Sequence, residues 1–157
     1  MKLHNLLKPE HVIIDCRMTN TEDVLREMVR HLKMRNVIPD EELIFNKLME
    51  REKLGTTSIG HNSAVPHAKL KNLAAPVIAI GVSTAGFRYH ETDKQPVHFI
   101  ILILSPSHSS VIHLQILAAA ASLVKKSGRL IKKIVAAHTP REVIDLIEQY
   151  ENEDEDG

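Results

Sequence analysis

The chain has 157 residues, a length that suits one domain whose core needs no disulfide or metal staple. Its 20 Lys plus Arg balance its 20 Asp plus Glu, which argues against a general nucleic-acid binder. A single cysteine, Cys16, leaves no internal disulfide, MKLHNLLKPEH has no apolar signal region, and the longest apolar run, VHFIILILS, is too short to span a bilayer, so a cytoplasmic protein without direct membrane insertion is expected.

The first predicted element is a strand in HVIIDC, residues 11 to 16, from its short β-branched run. NTEDVLREMVRHLKMRN reads as a helix, with Val24, Met28 and His31 or Leu32 on one face and Asn20 as cap with Asp23 at the third position. PDEELIFNKLMEREKLG reads as a second helix, opened by Pro39 and Asp40 and closed by Gly55. TTSIGHNSAVPHA is irregular, with a short strand at SAVPH. PVIAIGVST and PVHFIILILS are too short and too β-branched for helices and read as buried strands, joined through AGFRYHETDKQ as a hairpin or a longer loop. SPSHSSVIHLQILAAAASLVKKSG reads as a helix that is apolar on most of its circumference and ends at Gly128. GRLIKKIVAAH is another short helix. TPREVIDLIEQYE is the last, with Thr139 as cap, Pro140 in the first turn and Glu142 three residues after the cap. The sum is an α/β fold: a small mixed β-sheet with helices packed on its faces, one compact domain over residues 1–150. Residues 151–157, part of the acidic EQYENEDEDG, are expected to be a solvated, disordered tail.

Three residues stand out as carriers of chemistry. Pro66 fixes the backbone before His67 and removes a ladder donor, so the strand should end there and present a rigid, reachable imidazole. Such a histidine can be a nucleophile, a metal ligand or a satisfied polar group. No metal site is expected, because His61 and His67 are separated by an irregular segment and have neither helical i, i+4 pairing nor cysteine partners. Arg51 follows Ile44 and Leu48 at i, i+4, i+7 spacing, on the apolar face of its helix. It either meets an anionic partner or snorkels to water from the last turn. Glu52 is adjacent, but neighbours on a helix point apart. His113 forms an i, i+4, i+7 row with Leu117 and Ala120 near a helix N-terminus, where the partial positive charge favours a neutral ring. It is either a donor to an oxyanion or a core histidine bonded to a backbone carbonyl. Two imidazoles and a fixed cation together suit a phosphoryl group. No Walker glycine pattern implies a nucleotide, and no cofactor is expected. A histidine-dependent hydrolase lacks a paired Ser or Cys nucleophile.

EREKLGTTSIGHNSAVPHAKL resembles the signature of the enzyme IIA domain of the fructose/mannitol type in the bacterial phosphoenolpyruvate–sugar phosphotransferase system, a family that includes the stand-alone nitrogen-regulatory IIA proteins. The matching pieces are Arg51-Glu52, the turn Thr57-Ser58-Ile59-Gly60, and Ala64-Val65-Pro66-His67. PVHFIILILSPSHSSVIHLQILAAAASLV is similar to the family's strand, proline loop and helix, with His113 in its histidine position, and LLKPEHVIID and TPREVIDLI also fit. The resemblance implies a phosphohistidine carrier: His67 takes a phosphoryl group from the phosphocarrier protein HPr through Nε2, with Nδ1 held by a backbone carbonyl. Arg51, His113 and Thr57 bind and orient the phosphate. The group then passes to a separate IIB domain, or its presence signals to a regulatory target, the nitrogen-regulatory branch being slightly favoured. Ser58, Asn62 and Ala68 stand where the family often has glycine, and His61 adds a titratable group at the rim. These substitutions motivate an alternative, a IIA-like binding module that is never phosphorylated.

Overall fold

The chain divides where its hydrophobic period changes between two and 3.6 residues. The computed structural model describes residues 1–17, 19–126 and 128–156, with side chains as far as residue 153. Two 3-10 turns, Leu3–Leu6 and Pro9–His11, lead into β1 (Val12–Ile13), α1 (Thr21–Met34) and α2 (Glu41–Lys53). Five strands follow: β2 (Ser58–Gly60), β3 (Ser63–Ala64), β4 (His67–Leu70), β5 (Val77–Phe87) and β6 (Val97–Pro106). The chain then forms α3 (Ser110–Lys126), α4 (Gly128–Val135) and α5 (Pro140–Asp156).

The strands make one mixed sheet in the order β1-β5-β6-β3-β2, with β4 also paired to β6. β5 and β6 are antiparallel neighbours, whereas β1 runs parallel to β5, and β3 and β4 run parallel to β6. Alternation along the two long strands gives the sheet two apolar faces. Ile78, Ile80, Phe99, Ile101 and Ile103 pack with Leu123, Ile134 and Ile147 of the last three helices. Ala79, Ile100, Leu102 and Leu104 pack with Leu25, Met28 and Leu48 of α1 and α2. Gly81 permits this second contact: a Cβ there would meet Met28 Sδ at 3.0 Å and Cys16 Sγ at 3.2 Å.

The caps form as the sequence implies. Asn20 accepts from Asp23 N–H at 2.9 Å, Asp40 from Leu43 N–H at 3.1 Å and Thr139 from Glu142 N–H at 3.1 Å. Three expectations need correcting. The first strand is shorter than HVIIDC, because Asp15 adopts a left-handed φ of 62° that breaks the ladder, although Cys16 N–H still reaches the Val82 carbonyl at 2.7 Å. Gly128 opens α4 rather than closing α3, since burial of Leu130, Ile131 and Ile134 starts a new amphipathic helix at once. Of the segment 151–157 expected to be a disordered tail, residues 151–156 continue α5, and residue 157 lies outside the described residues. The reason is Glu151, which accepts from Leu3 N–H at 2.7 Å and His4 N–H at 2.9 Å and meets His4 Nδ1 at 2.7 Å. Glu151→Ala leaves those two N–H groups without their carboxylate. It should cost about 1–3 kcal/mol in chemical denaturation, with faster amide exchange at Leu3 and His4.

Candidate functional site

β4 lies on the sheet edge, paired with β6 alone, and His67 opens it. The sequence suggested that Pro66 would end a strand at His67. Instead Pro66 interrupts a strand that resumes in the same register, with Ala64 opposite Ile100 and His67 opposite Ile103. The ladder loses the proline donor, yet the Pro66 carbonyl still accepts from Ile103 N–H at 2.9 Å. Side chains alternate from there: Ala68 and Leu70 enter the core under α1 and α2, while His67 and Lys69 face the start of α3.

The His67 tautomer follows from its neighbours. Nδ1 lies 2.9 Å from the Val65 carbonyl, which can only accept, so Nδ1 carries the proton. Nε2 is therefore the lone-pair nitrogen, and it accepts from Arg51 Nε at 3.2 Å. Arg51 also donates from Nη1 to the Gly55 carbonyl at 2.9 Å, so it is fixed at the end of α2. Its partners are a neutral ring and a carbonyl rather than a carboxylate. His113 comes from the first turn of α3 and is 5% exposed. Its Nδ1 meets the Ser105 hydroxyl at 2.7 Å rather than a backbone carbonyl, which leaves Nε2 for the cleft. The two imidazole centroids are 5.4 Å apart and tilted by 55°. These three side chains, with Lys47, Glu50, Lys53, Leu54 and Lys69, line an open cavity of about 700 Å³, in which Glu50 pairs with Lys47 at 3.7 Å.

Burial holds the His67 pKa below the usual histidine value; the Val65 carbonyl opposes this, Arg51 adds to it and Glu52 opposes it. Burial also lowers His113, followed by the charges of His67 and Lys69. Both rings are neutral at pH 7, and a neutral imidazole is nucleophilic. His11 and His31 are lowered by burial as well. The unfolded chain therefore binds more protons than the folded one below the ordinary histidine pKa of 6.5. Stability should fall as the pH drops from that value toward the lowered folded pKa values, and fall again above the ordinary thiol pKa of 9.0, where the raised Cys16 thiol and Tyr89 phenol ionise first in the unfolded chain. Denaturation midpoints at several pH values test this.

Thr57 is not brought to the cleft, which corrects its expected place among the phosphate ligands. It is 4% exposed and its hydroxyl donates to the Glu52 carboxylate and lies 3.0 Å from Tyr89 Oη. Glu52 does point away from Arg51, as adjacent helical residues do, and Tyr89 Oη donates to it at 2.7 Å. No motif or spacing marked Tyr89 or Ser105 as partners of the site. The substituted loop is accommodated. Gly60, His61 and Asn62 take φ of 77°, 54° and 59° at the β2–β3 turn, while Ser58 and Ala68 lie in strands without a left-handed φ. Glycine freedom is thus not needed at Ser58 or Ala68. Among the described residues no group of three or more His, Cys, Asp or Glu is placed to hold a metal ion, and no helix is long and apolar enough to cross a membrane. The arrangement can present a nitrogen lone pair to an anionic electrophile beside fixed and mobile cations.

The profile of the family described as "Phosphoenolpyruvate-dependent sugar phosphotransferase system, EIIA 2" matches residues 5–150. The chain is 28% identical over 151 residues to the fructose-specific EIIABC component of Bacillus subtilis (strain 168), spanning 96% of this chain but only 24% of that protein. It is 27% identical over 150 residues to a nitrogen regulatory protein of Bradyrhizobium diazoefficiens, spanning 94% of this chain and 95% of that one. Among solved structures, the nitrogen regulatory protein IIA-Ntr of Neisseria meningitidis superposes with a TM-score of 0.83 at 21% identity, covering 92% of this chain and 98% of that one. The mannitol IIA of Escherichia coli, solved in complex with phosphorylated IIB, superposes with a TM-score of 0.74 at 19% identity, covering 91% of this chain and 97% of that one.

Proposed function

Because this chain belongs to the EIIA 2 family of the phosphoenolpyruvate-dependent sugar phosphotransferase system, we propose that it is a phosphohistidine carrier, loaded on Nε2 of His67 by an HPr-like phosphocarrier protein. The observation that carries this reading is the Nε2 lone pair held at the cleft, with the proton fixed on Nδ1 by Val65. The lone pair attacks phosphorus in line. The donor's N–P bond breaks, its electron pair stays on the donor imidazole, and a P–Nε2 bond forms. Arg51 releases Nε2 as the bond forms and turns its Nε–H to the phosphoryl oxygens, with Nη1 still anchored on Gly55. His113 Nε2 and Lys69 lie where they can meet the remaining oxygens. No cofactor or metal enters the step.

The surroundings favour a protein as donor and acceptor. Leu54 is 84% exposed on the cleft wall, and Val111 and Leu114 are exposed on the turn that carries His113. Exposed apolar side chains beside a reactive group suit protein docking, which also excludes water from the phosphoryl group. The acceptor is a separate IIB domain or a regulatory target protein. The match over nearly the full length of a nitrogen regulatory protein favours the regulatory branch slightly. A IIA-like module that binds partners without being phosphorylated has less support, because Ser58 and Ala68 need no left-handed backbone and His67 is already poised as a nucleophile. Incubation with phosphoenolpyruvate, enzyme I and HPr, followed by intact-protein mass spectrometry, should give one acid-labile phosphoryl group. No adduct in the presence of active HPr would favour the binding module.

A further inference from the structure

Beneath the nucleophile runs a chain of hydrogen bonds that the transfer step does not use. Tyr89 Oη donates to Glu52 Oε1 at 2.7 Å, and the Thr57 hydroxyl donates to the same oxygen. Thr57 N–H donates to Glu52 Oε2 at 3.2 Å. The Thr57 carbonyl accepts from Val65 N–H at 2.9 Å, and the Val65 carbonyl receives the His67 Nδ1 proton at 2.9 Å. The chain thus connects a buried phenol to the ring nitrogen opposite the reactive one.

Its far end is pinned on two sides. Tyr89 N–H donates to Asp93 Oδ2 at 3.1 Å, and its carbonyl accepts from Thr21 Oγ1 at 2.5 Å. Asp93 Oδ1 in turn takes the Ser58 hydroxyl at 2.5 Å. Tyr89 and Thr57 are 6% and 4% exposed, so water is not available to replace either partner. We propose that Tyr89, Glu52 and Thr57 are positioning residues that hold the Val65 carbonyl against Nδ1 and so keep the Nε2 lone pair of His67 at the cleft. The inference rests on the reading of His67 as the phosphoryl acceptor. Two physical features support it. Each bond fixes the position of the next residue: Glu52 holds Thr57 by its N–H and hydroxyl, the Thr57 carbonyl holds Val65 by its N–H, and Val65 so held presents its carbonyl to Nδ1. Burial and the Glu52 charge push the Tyr89 phenol well above its usual pKa, so it remains a donor throughout the physiological range.

The test uses the intact chain with ¹⁵N-labelled histidine and long-range ¹H–¹⁵N spectra, which report which ring nitrogen holds the proton. Wild type should show a pyrrole-like Nδ1 and a pyridine-like Nε2 for His67. Tyr89→Phe keeps the ring in the core and removes one donor. It should shift the tautomer ratio toward Nε2–H by about five-fold, the effect of one hydrogen bond. Thr57→Val should shift it at least as far, and Thr57→Ser, which keeps the hydroxyl, should restore the wild-type spectrum. Phosphorylation by HPr should slow in kcat with KM for HPr unchanged, a split that general loosening of the docking face would not give. Wild-type His67 nitrogen shifts in Tyr89→Phe overturn the proposal, whatever Thr57→Val does. The spectra need no phosphoryl donor. A chain that is never phosphorylated but shows the tautomer shift would therefore sink the carrier reading alone, and normal phosphorylation with an unshifted tautomer would sink the network alone.

Discussion

His67→Ala takes up no acid-labile phosphoryl group from HPr, at any pH and after any incubation time. The loss is complete rather than graded, because no second lone-pair nitrogen is presented in the same way. His113 is the other neutral imidazole in the cleft, but it is 5% exposed and its Nδ1 is tied to Ser105. The substitution should leave the fold intact, since His67 is half-buried at a sheet edge and its backbone pairing with Ile103 does not depend on the side chain. Intact mass after incubation with the complete donor system checks the loss, and an unchanged denaturation midpoint checks the fold. A full phosphoryl adduct on the folded variant would move the nucleophile elsewhere.

Arg51→Ala comes next in effect. The guanidinium is held by Gly55 and touches Nε2 before reaction, so it reaches the phosphoryl oxygens by a small turn rather than a search. Removing a fixed donor to developing negative charge typically costs about 10²–10³ in rate, or about 2.7–4 kcal/mol. Arg51→Lys should recover little of this, because an ammonium point charge cannot keep the Gly55 bond and address the phosphate with a planar fork. Stopped transfer from phosphorylated HPr, read by mass over time, gives the rate. A loss below about tenfold in Arg51→Ala would leave Lys69 and His113 as the main neutralising groups. The variant should also raise the His67 pKa, since Arg51 is one of the groups holding it down.

What was legible in the sequence was local or strongly periodic. The three caps at Asn20, Asp40 and Thr139 depend on residues three positions apart, so the pattern carries them. β5 and β6 come from apolar, β-branched runs too short for buried helices, so their composition and length carry them. The pieces around His67 were harder, because β2 and β3 have only three and two residues and owe their strand character to pairing with each other and with β6. Nor does any spacing bring Arg51, His67 and His113 to one cleft; the resemblance to the EIIA family singled them out together, and the fold gives the reason. The same resemblance misplaced Thr57, since its motif does not say which way a turn hydroxyl points. Glu151 was read as part of a charged tail because its partners, Leu3 and His4, lie 148 and 147 residues away. Tyr89 and Ser105 were silent for the same reason: each acts on a residue that only the folded chain brings near.

The most direct measurement is ³¹P and ¹⁵N NMR of the chain after phosphorylation by HPr, with labelled histidine to identify the nitrogen bonded to phosphorus. The expected result is a single N-linked phosphoryl group on Nε2 of His67, with Nδ1 still protonated against the Val65 carbonyl. Phosphorus on Nδ1, on another histidine or on no residue at all would contradict the assignment of His67 Nε2 as the carrier atom.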